Sequence, residues 1–132
     1  MSKRAEEAAV EARNLIERKS VAQELRECGD DINLIKINSE NSIWPVASFI
    51  CNRLILRLTF IINRWSDHFC DDTKSNLSLT ITQLDTLNSQ FRKFIIRTPN
   101  QSEMSGILSV AVRLSTILAA EYGKYESTIN KK

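Results

Sequence analysis

The chain has 132 residues, which is enough for one domain with its own core and too few for two domains of ordinary size. Hydrophobic residues make up 42% and charged residues 26%, a balance that is ordinary for a globular protein. The formal net charge of +2 neither requires nor excludes nucleic acid. With 3 glycines and 2 prolines, the composition favours a few long helices over many short strands.

Two features bear on where the protein works. The cysteines Cys28, Cys51 and Cys70 are few and odd in number, which favours reduced thiols and a cytoplasmic location over a secreted disulfide scaffold. The opening residues 1–7 are charged and carry no apolar stretch, so we expect no secretory signal there.

Residues 43–62 are mostly apolar and are long enough that a membrane span has to be considered. Arg53 and Arg57 lie within them, and each costs about 2.5–3.5 kcal/mol at a bilayer centre. We therefore predict a buried core helix and no membrane span.

The first predicted helix covers residues 3–28 and stops at Gly29, a residue that readily closes helices. Its apolar residues recur at three- and four-residue steps, which predicts a shared face: Ala5, Ala8, Ala12, Leu15, Ile16, Ala22 and Leu25. Residues 30–42 predict a short helix and a loop, with an isolated extended segment as the alternative.

The second predicted helix starts near Asn41 or Ser42, has Pro45 in its first turn and runs to about Phe69. It is apolar around most of its circumference, which is typical of the central helix of a bundle. The residues that carry this pattern are Val46, Ala47, Ile50, Cys51, Leu54, Ile55, Leu58, Ile61, Ile62 and Trp65.

A polar connection at residues 71–76 leads to a third predicted helix, capped by Asn76 or Ser78 and ended before Pro99. Its apolar stripe is Leu77, Ile81, Leu84, Leu87, Phe91, Phe94 and Ile95. Asn100 and Glu103 have the spacing of a capping box at the start of a fourth helix.

The fourth predicted helix has the most regular period, carried by Met104, Ile107, Leu108, Ala111, Leu114, Leu118, Tyr122 and Tyr125. Gly106 inside it predicts close approach by a neighbour, and the helix ends at Gly123 or one turn later. We therefore predict an all-α fold, an up-and-down bundle of four long helices with a short extra helix between the first two. A single domain covers residues 1–126, followed by a frayed tail at 127–132.

Four groups able to carry positive charge fall within an arc of about 60° on the second predicted helix: Arg53, Arg57, Arg64 and His68. Burying several unpaired charges is costly, so this stripe must face solvent, acidic partners or a ligand. In one interpretation Arg53 and Arg57 pair with acidic residues of the first helix, such as Glu17 or Glu24. In the other, Arg53, Arg57 and Arg64 contact phosphate or RNA.

His68 is the only histidine, and Arg64 precedes it by one helical turn. An imidazole acting as general acid or base, with a guanidinium holding a phosphate, could serve RNA cleavage through a 2′-hydroxyl. A metal site is not predicted, because His68, Cys70, Asp71 and Asp72 do not match zinc-ligand spacing. No Gly-rich phosphate loop is present, and no cofactor is predicted.

Residues 44–87 resemble the abortive-infection branch of the HEPN superfamily. The similarity is carried by an apolar helix that begins Trp-Pro and by Asp71, Asp72, Lys74, Leu77, Ser78 and Leu79. It implies a helical bundle, often dimeric, and a ribonuclease or a partner in toxin–antitoxin and phage-defence systems. The family's catalytic arginine and histidine lie further apart than Arg64 and His68, which have three residues between them.

The preferred functional hypothesis is a non-enzymatic helical interaction module that self-associates or joins a larger assembly, with a basic stripe that contacts RNA. A metal-independent HEPN-type endoribonuclease using Arg64 and His68 is the first alternative. The second is a small subunit of a nucleoprotein complex that binds backbone phosphate through Arg53, Arg57 and Arg64.

Overall fold

The computed structural model describes residues 3–130, and the side chains of residues 3–126. Four helices make up the fold: α1 (Lys3–Glu40), α2 (Trp44–Arg64), α3 (Asp71–Ile96) and α4 (Gln101–Asn130). A short 3₁₀ turn, Ser66–His68, separates α2 from α3. The prediction of an all-α bundle of four long helices is confirmed.

The core runs the length of the bundle, and every helix contributes to it. Leu25, Leu54, Leu84 and Leu114 are examples, one from each helix, and none exposes more than a trace of its surface. α1 packs against α2 and α4, and α2 packs against α3; of the four neighbouring helix pairs, α3 and α4 pack together least extensively.

Aromatic rings close the two ends of this core. Trp44 stacks on Phe91 at one end, with ring centroids 5.7 Å apart. At the other end Phe69 meets the edge of Tyr125, also at 5.7 Å. Such contacts add to the stability gained from the buried apolar area.

The largest correction concerns residues 29–40, which continue α1 as one unbroken helix. Gly29 does not end it, because Cys28, Ile32 and Ile35 continue the buried stripe across the glycine. No short extra helix separates α1 from α2. The chain turns instead at Ser42, whose φ of 58° is in the left-handed region.

The bounds of α2 and α3 also differ from the prediction. α2 begins at Trp44, with Pro45 in its first turn as predicted, but it ends at Arg64 and not near Phe69. α3 begins at Asp71, so residues 71–76 are helical and not a connection. Asp71 and Asp72 lie in its first turn, where carboxylates interact favourably with the helix dipole.

The predicted capping box at the start of α4 is confirmed. The Glu103 N–H donates to Asn100 Oδ1 at 2.7 Å, and the Asn100 N–H donates to Glu103 Oε1 at 3.1 Å. α4 continues past Gly123 to Asn130, so it covers part of the segment expected to fray, and residues 131 and 132 lie outside the described residues.

Gly106 does not mark close packing. A Cβ placed there meets nothing within 4 Å, because the glycine lines an open groove of about 370 Å³ between α3 and α4. Gln83, Gln90 and Arg113 also line this groove.

The first four turns of α1 are not part of the core. Every residue from 3 to 16 is exposed, and burial begins at Val21. The apolar residues predicted to share one face of α1 therefore divide into two groups. Ala22 and Leu25 are buried, whereas Leu15 and Ile16 are 43% and 65% exposed. We call residues 3–16 the α1 arm.

Candidate interaction surface on the second helix

The structure divides the predicted basic stripe between two elements. Arg53, Arg57 and Arg64 lie on α2, as predicted. His68 belongs to the 3₁₀ turn that follows, so the helical geometry that aligned it with the arginines does not apply.

Arg53 and Arg57 are held by one carboxylate of α1. Asp31, whose side chain is only 7% exposed, accepts from Arg53 Nη2 at 2.9 Å and from Arg57 Nη1 at 3.5 Å. Glu27 lies a further 3.8 Å from Arg57 Nη1. The structure therefore favours ion pairing with α1 for these two arginines, through Asp31 and Glu27 and not through Glu17 or Glu24.

Glu17 and Glu24 have other partners on the same side of the bundle. Glu24 accepts a hydrogen bond from the indole N–H of Trp65, and Glu17 Oε2 lies 2.7 Å from His68 Nε2. Positions 17, 24 and 31 are seven residues apart, so they follow one edge of α1. We call Glu17, Glu24, Glu27 and Asp31 the acidic edge.

Arg64 is exposed, as is Arg53, but it has a different environment. Its guanidinium lies 4.7 Å from the ring centre of Trp65 and 5.7 Å from that of Phe60. Within the described residues it forms no ion pair. A guanidinium stacked on two rings keeps its hydrogen-bond donors available at its edges.

Arg64 and His68 both pack against the Trp65 ring. This common neighbour is the only contact that relates the two predicted site residues within the described residues. The His68 side chain is 15% exposed, its Nε2 contacts Glu17, and its backbone oxygen accepts from the Tyr125 hydroxyl at 2.8 Å. These contacts attach the 3₁₀ turn to α1 and α4.

A second feature of α2 is apolar. Phe49, Leu56 and Phe60 point away from the core and are 64%, 71% and 55% exposed. Arg53 lies over the Phe49 ring at 6.0 Å, and Arg64 lies over Phe60. We call Phe49, Arg53, Leu56, Phe60 and Arg64 the α2 face.

The apolar residues predicted for the core of this helix did not include Phe49, Leu56 or Phe60, and the sequence analysis did not recognise that these three share a face of their own. The signal was present: at 100° per residue Phe49, Leu56 and Phe60 fall within about 40° of one another. They lie opposite Leu54 and Leu58, which are fully buried.

The cysteines divide by environment. Burial raises the pKa of the Cys28 and Cys51 thiols to about 12, so both are unreactive core residues at neutral pH. Cys70 is exposed at the start of α3, and its hydrogen bonds with Thr73 lower its pKa. Among the described residues no group of three or more His, Cys, Asp or Glu side chains is placed to hold a metal ion.

Two helices are long and apolar enough in composition to cross a membrane: α2 over Trp44–Arg64 and α4 over Gln101–Glu126. Core helices of soluble bundles meet the same criterion. In α2 the five residues Ala47, Cys51, Leu54, Leu58 and Ile61 are fully buried against the other helices.

Comparison of the chain with protein-family models, curated proteins and solved structures gave no match.

Proposed function

We propose that the protein is a non-enzymatic helical interaction module whose α2 face binds a protein partner. The observation that carries the proposal is the exposure of Phe49, Leu56 and Phe60 along the same face of one helix. Exposed apolar side chains are common singly, but a contiguous strip of them is typical of an interaction site.

The composition of the strip supports a protein partner. Phenylalanine and arginine are enriched in the centres of protein interfaces, where lysine and glutamate are depleted. The α2 face consists of apolar and arginine side chains, and Arg53 already has a carboxylate partner in Asp31. A partner helix therefore gains apolar area there, and Arg64 is the one cation of the α2 face that has no ion pair within the described residues.

The contacts of the basic stripe weaken both alternatives. A phosphate-binding surface needs cations free to meet phosphate, and Arg53 and Arg57 are engaged by Asp31. A ribonuclease needs an imidazole within reach of the ribose hydroxyl, and His68 Nε2 faces Glu17. Of the three arginines, only Arg64 forms no ion pair within the described residues.

The proposal is tested by placing a photo-crosslinking phenylalanine analogue at Phe60 in the full chain, expressed in the cells of its source. The matched control carries it at Leu79, an exposed apolar residue of α3. We expect a protein adduct from position 60 that disappears on Leu56→Asp, and none from position 79. Equal adducts from both positions, or none from position 60, would contradict the proposal.

RNA binding and cleavage are measured on the purified chain without metal, on native and denaturing gels. An interaction module leaves labelled single-stranded RNA unshifted and uncut at physiological salt. Cleavage lost in both Arg64→Ala and His68→Ala would establish the ribonuclease instead. A salt-sensitive shift lost in Arg64→Ala, without cleavage, would establish the phosphate-binding subunit.

A further inference from the structure

The groove between α3 and α4 is a space that the side chains of the bundle leave unfilled. Its volume is about 370 Å³, and pockets that hold small ligands begin at roughly 300 Å³. The buried Leu87 and the partly buried Val110 line its middle. A Cβ placed at Gly106 meets nothing within 4 Å, so the groove is open where α4 carries no side chain. The space is therefore large enough for a small molecule, and its centre is apolar.

The residues that line the groove lie in a fixed order along α3 and α4, which run antiparallel. Arg113 Nη2 donates to Gln83 Oε1 at 2.8 Å, so these two residues lie opposite each other at one end. Gln90 and Gly106 are each seven residues away along their helices and mark the other end. Because an α-helix rises 1.5 Å per residue, the two ends are about 10 Å apart. The apolar middle lies between them.

The end of the groove at Arg113 is cationic. This guanidinium forms no ion pair within the described residues, and its partner Gln83 is neutral. Of the described residues that line the groove, none is a carboxylate. A guanidinium has five N–H donors in a planar fork that fits a carboxylate, and one hydrogen bond to Gln83 leaves most of them available. A carboxylate ligand therefore gains a charge-assisted pair at this end.

The end of the groove at Gln90 is polar and neutral. The Gln90 side chain is exposed and forms no hydrogen bond within the described residues. A primary amide both donates and accepts hydrogen bonds, so it complements an amide or a hydroxyl group. From one end to the other, the groove therefore matches a negative charge, an apolar body and a neutral polar group, in that order.

We propose that the α3–α4 groove binds a small organic acid, with its carboxylate on Arg113, its apolar body across Leu87 and Val110, and a neutral polar group near Gln90. This site goes beyond the proposed function, because no residue of the α2 face lines the groove. The groove is open to solvent along one side, where Thr86, Gln90 and Arg113 are exposed. A probe of about 13 non-hydrogen atoms should therefore bind weakly, with a Kd on the order of 1 mM.

Binding is measured by NMR on the full chain labelled with ¹⁵N-glycine. The sequence has 3 glycines, of which Gly106 lines the groove and Gly29 and Gly123 do not, so the spectrum contains its own references. The probe is 4-acetamidobenzoate, which has the three features in the required order, and its neutral match is 4-acetamidobenzamide. We expect the acid to shift the Gly106 amide signal saturably and to leave the other two in place. The neutral probe should bind at least about tenfold more weakly.

Two variants separate the charge of the site from its space. Arg113→Gln should abolish the preference for the acid, whereas Arg92→Gln, an equal change of charge on the opposite side of α3, should keep it. Gly106→Leu fills the groove and should bind neither probe, as followed by saturation-transfer NMR on the probe itself. Gly123→Leu is its control, because a Cβ there also meets nothing within 4 Å. Circular dichroism should show an unchanged helical fold in all four variants.

The proposal is overturned if the acid shifts no glycine signal at concentrations up to about 20 mM, or if it shifts all three alike. Neither result would locate a site in the groove. It is also overturned if Arg113→Gln keeps the preference for the acid, or if Gly106→Leu binds the probe like wild type. None of these results bears on the α2 face, which is tested by the adduct at Phe60.

Discussion

The two flanks of the bundle use polar side chains in opposite ways. Along the α1–α2 flank, the acidic edge meets α2 and the 3₁₀ turn at regular intervals, from Glu17 on His68 to Asp31 on Arg53. Along the α3–α4 flank, strong polar contacts lie near the two ends, at Glu103 and at Glu121. Between these two ends, α3 and α4 are separated by the groove. Arg113 Nη2 donates a hydrogen bond of 2.8 Å to Gln83 Oε1 across it.

The difference shows what continuous pairing does for a bundle. Carboxylates follow one edge of α1 every seven residues. The neighbouring helix can therefore carry arginines and still pack closely, because each partly buried guanidinium has a carboxylate to pair with. Where the contacts lie only at the ends, the middle of the helix pair is free to separate. The predictions below test this contrast, beginning with the largest expected effect.

Glu121 should be the most sensitive position. It is 1% exposed and accepts from Thr73 Oγ1 and Asn76 Nδ2, each at 2.8 Å. Glu121→Ala removes the carboxylate that accepts from both groups at the end of the α3–α4 flank, so we expect a loss of about 2–3 kcal/mol in the free energy of unfolding. Urea denaturation measures it, with Glu126→Ala as the exposed control on the same helix.

A loss no larger than that of the Glu126 control would show that the ends of the α3–α4 flank are no more tightly held than its groove. The statement that polar contacts hold the α3–α4 flank at its ends would then be contradicted at Glu121.

Asp31 should matter less, although it receives two arginines. Both arginine side chains are partly exposed, 46% for Arg53 and 36% for Arg57. Water can therefore replace part of the hydrogen bonding that the carboxylate gives them. We expect Asp31→Ala to lower the free energy of unfolding by about 1–2 kcal/mol. Asp30→Ala, one residue away and exposed, is the control and should change little.

Asp31→Ala also tests whether the acidic edge prevents RNA binding by the arginines of α2. If the acidic edge keeps Arg53 and Arg57 from binding phosphate, Asp31→Ala should increase affinity for single-stranded RNA at low salt, whereas Asp30→Ala should not. An equal gain in the two variants would indicate a general change in net charge.

Gly106 tests the open part of the α3–α4 flank. It is a glycine inside a helix, and a side-chain methyl there meets nothing within 4 Å. Gly106→Ala should therefore raise the free energy of unfolding by about 0.5–1 kcal/mol, because alanine loses less backbone entropy on folding. Thermal melts measure it, with Ser109→Ala as the exposed control on α4. A destabilised Gly106→Ala would mean that α3 and α4 close over the groove.

The glycines also show where reasoning from the sequence stopped working. The four-helix fold followed from apolar periodicity, and the capping box at Asn100 followed from spacing, since both are local patterns. The sequence predicts a helix end at Gly29 because glycine favours one in isolation. In the structure Ile32 and Ile35 are buried on the far side of it, and tertiary burial outweighs the propensity of one residue.

The site was predicted in part for a similar reason. Spacing on α2 identified the arginines and anticipated carboxylate partners on α1. It did not identify Asp31, because the register between two helices depends on packing and not on either helix alone. Periodicity also does not predict the end of α2 at Arg64, because apolar residues continue to Phe69; the predicted helix therefore includes His68, which lies beyond the end of α2.

The smallest effect should come from Glu103, at the turn that joins α3 to α4. Arg97 and the Asn100 N–H lower the pKa of this partly exposed carboxyl from 4.5 to about 2. A lowered carboxyl pKa means that its stabilisation is present above pH 4.5 and is lost as the pH falls toward about 2. Glu103→Gln should therefore lose less thermal stability than wild type between pH 6 and pH 2.

Glu126→Gln, on the same helix and away from this turn, should instead follow the wild-type profile. If Glu103→Gln also follows it, the Arg97–Glu103 pair holds the turn no better than solvent does, as is common for exposed ion pairs. The α3–α4 flank would then depend on Glu121 at one end alone, and the groove would be open along more of its length than the contacts indicate.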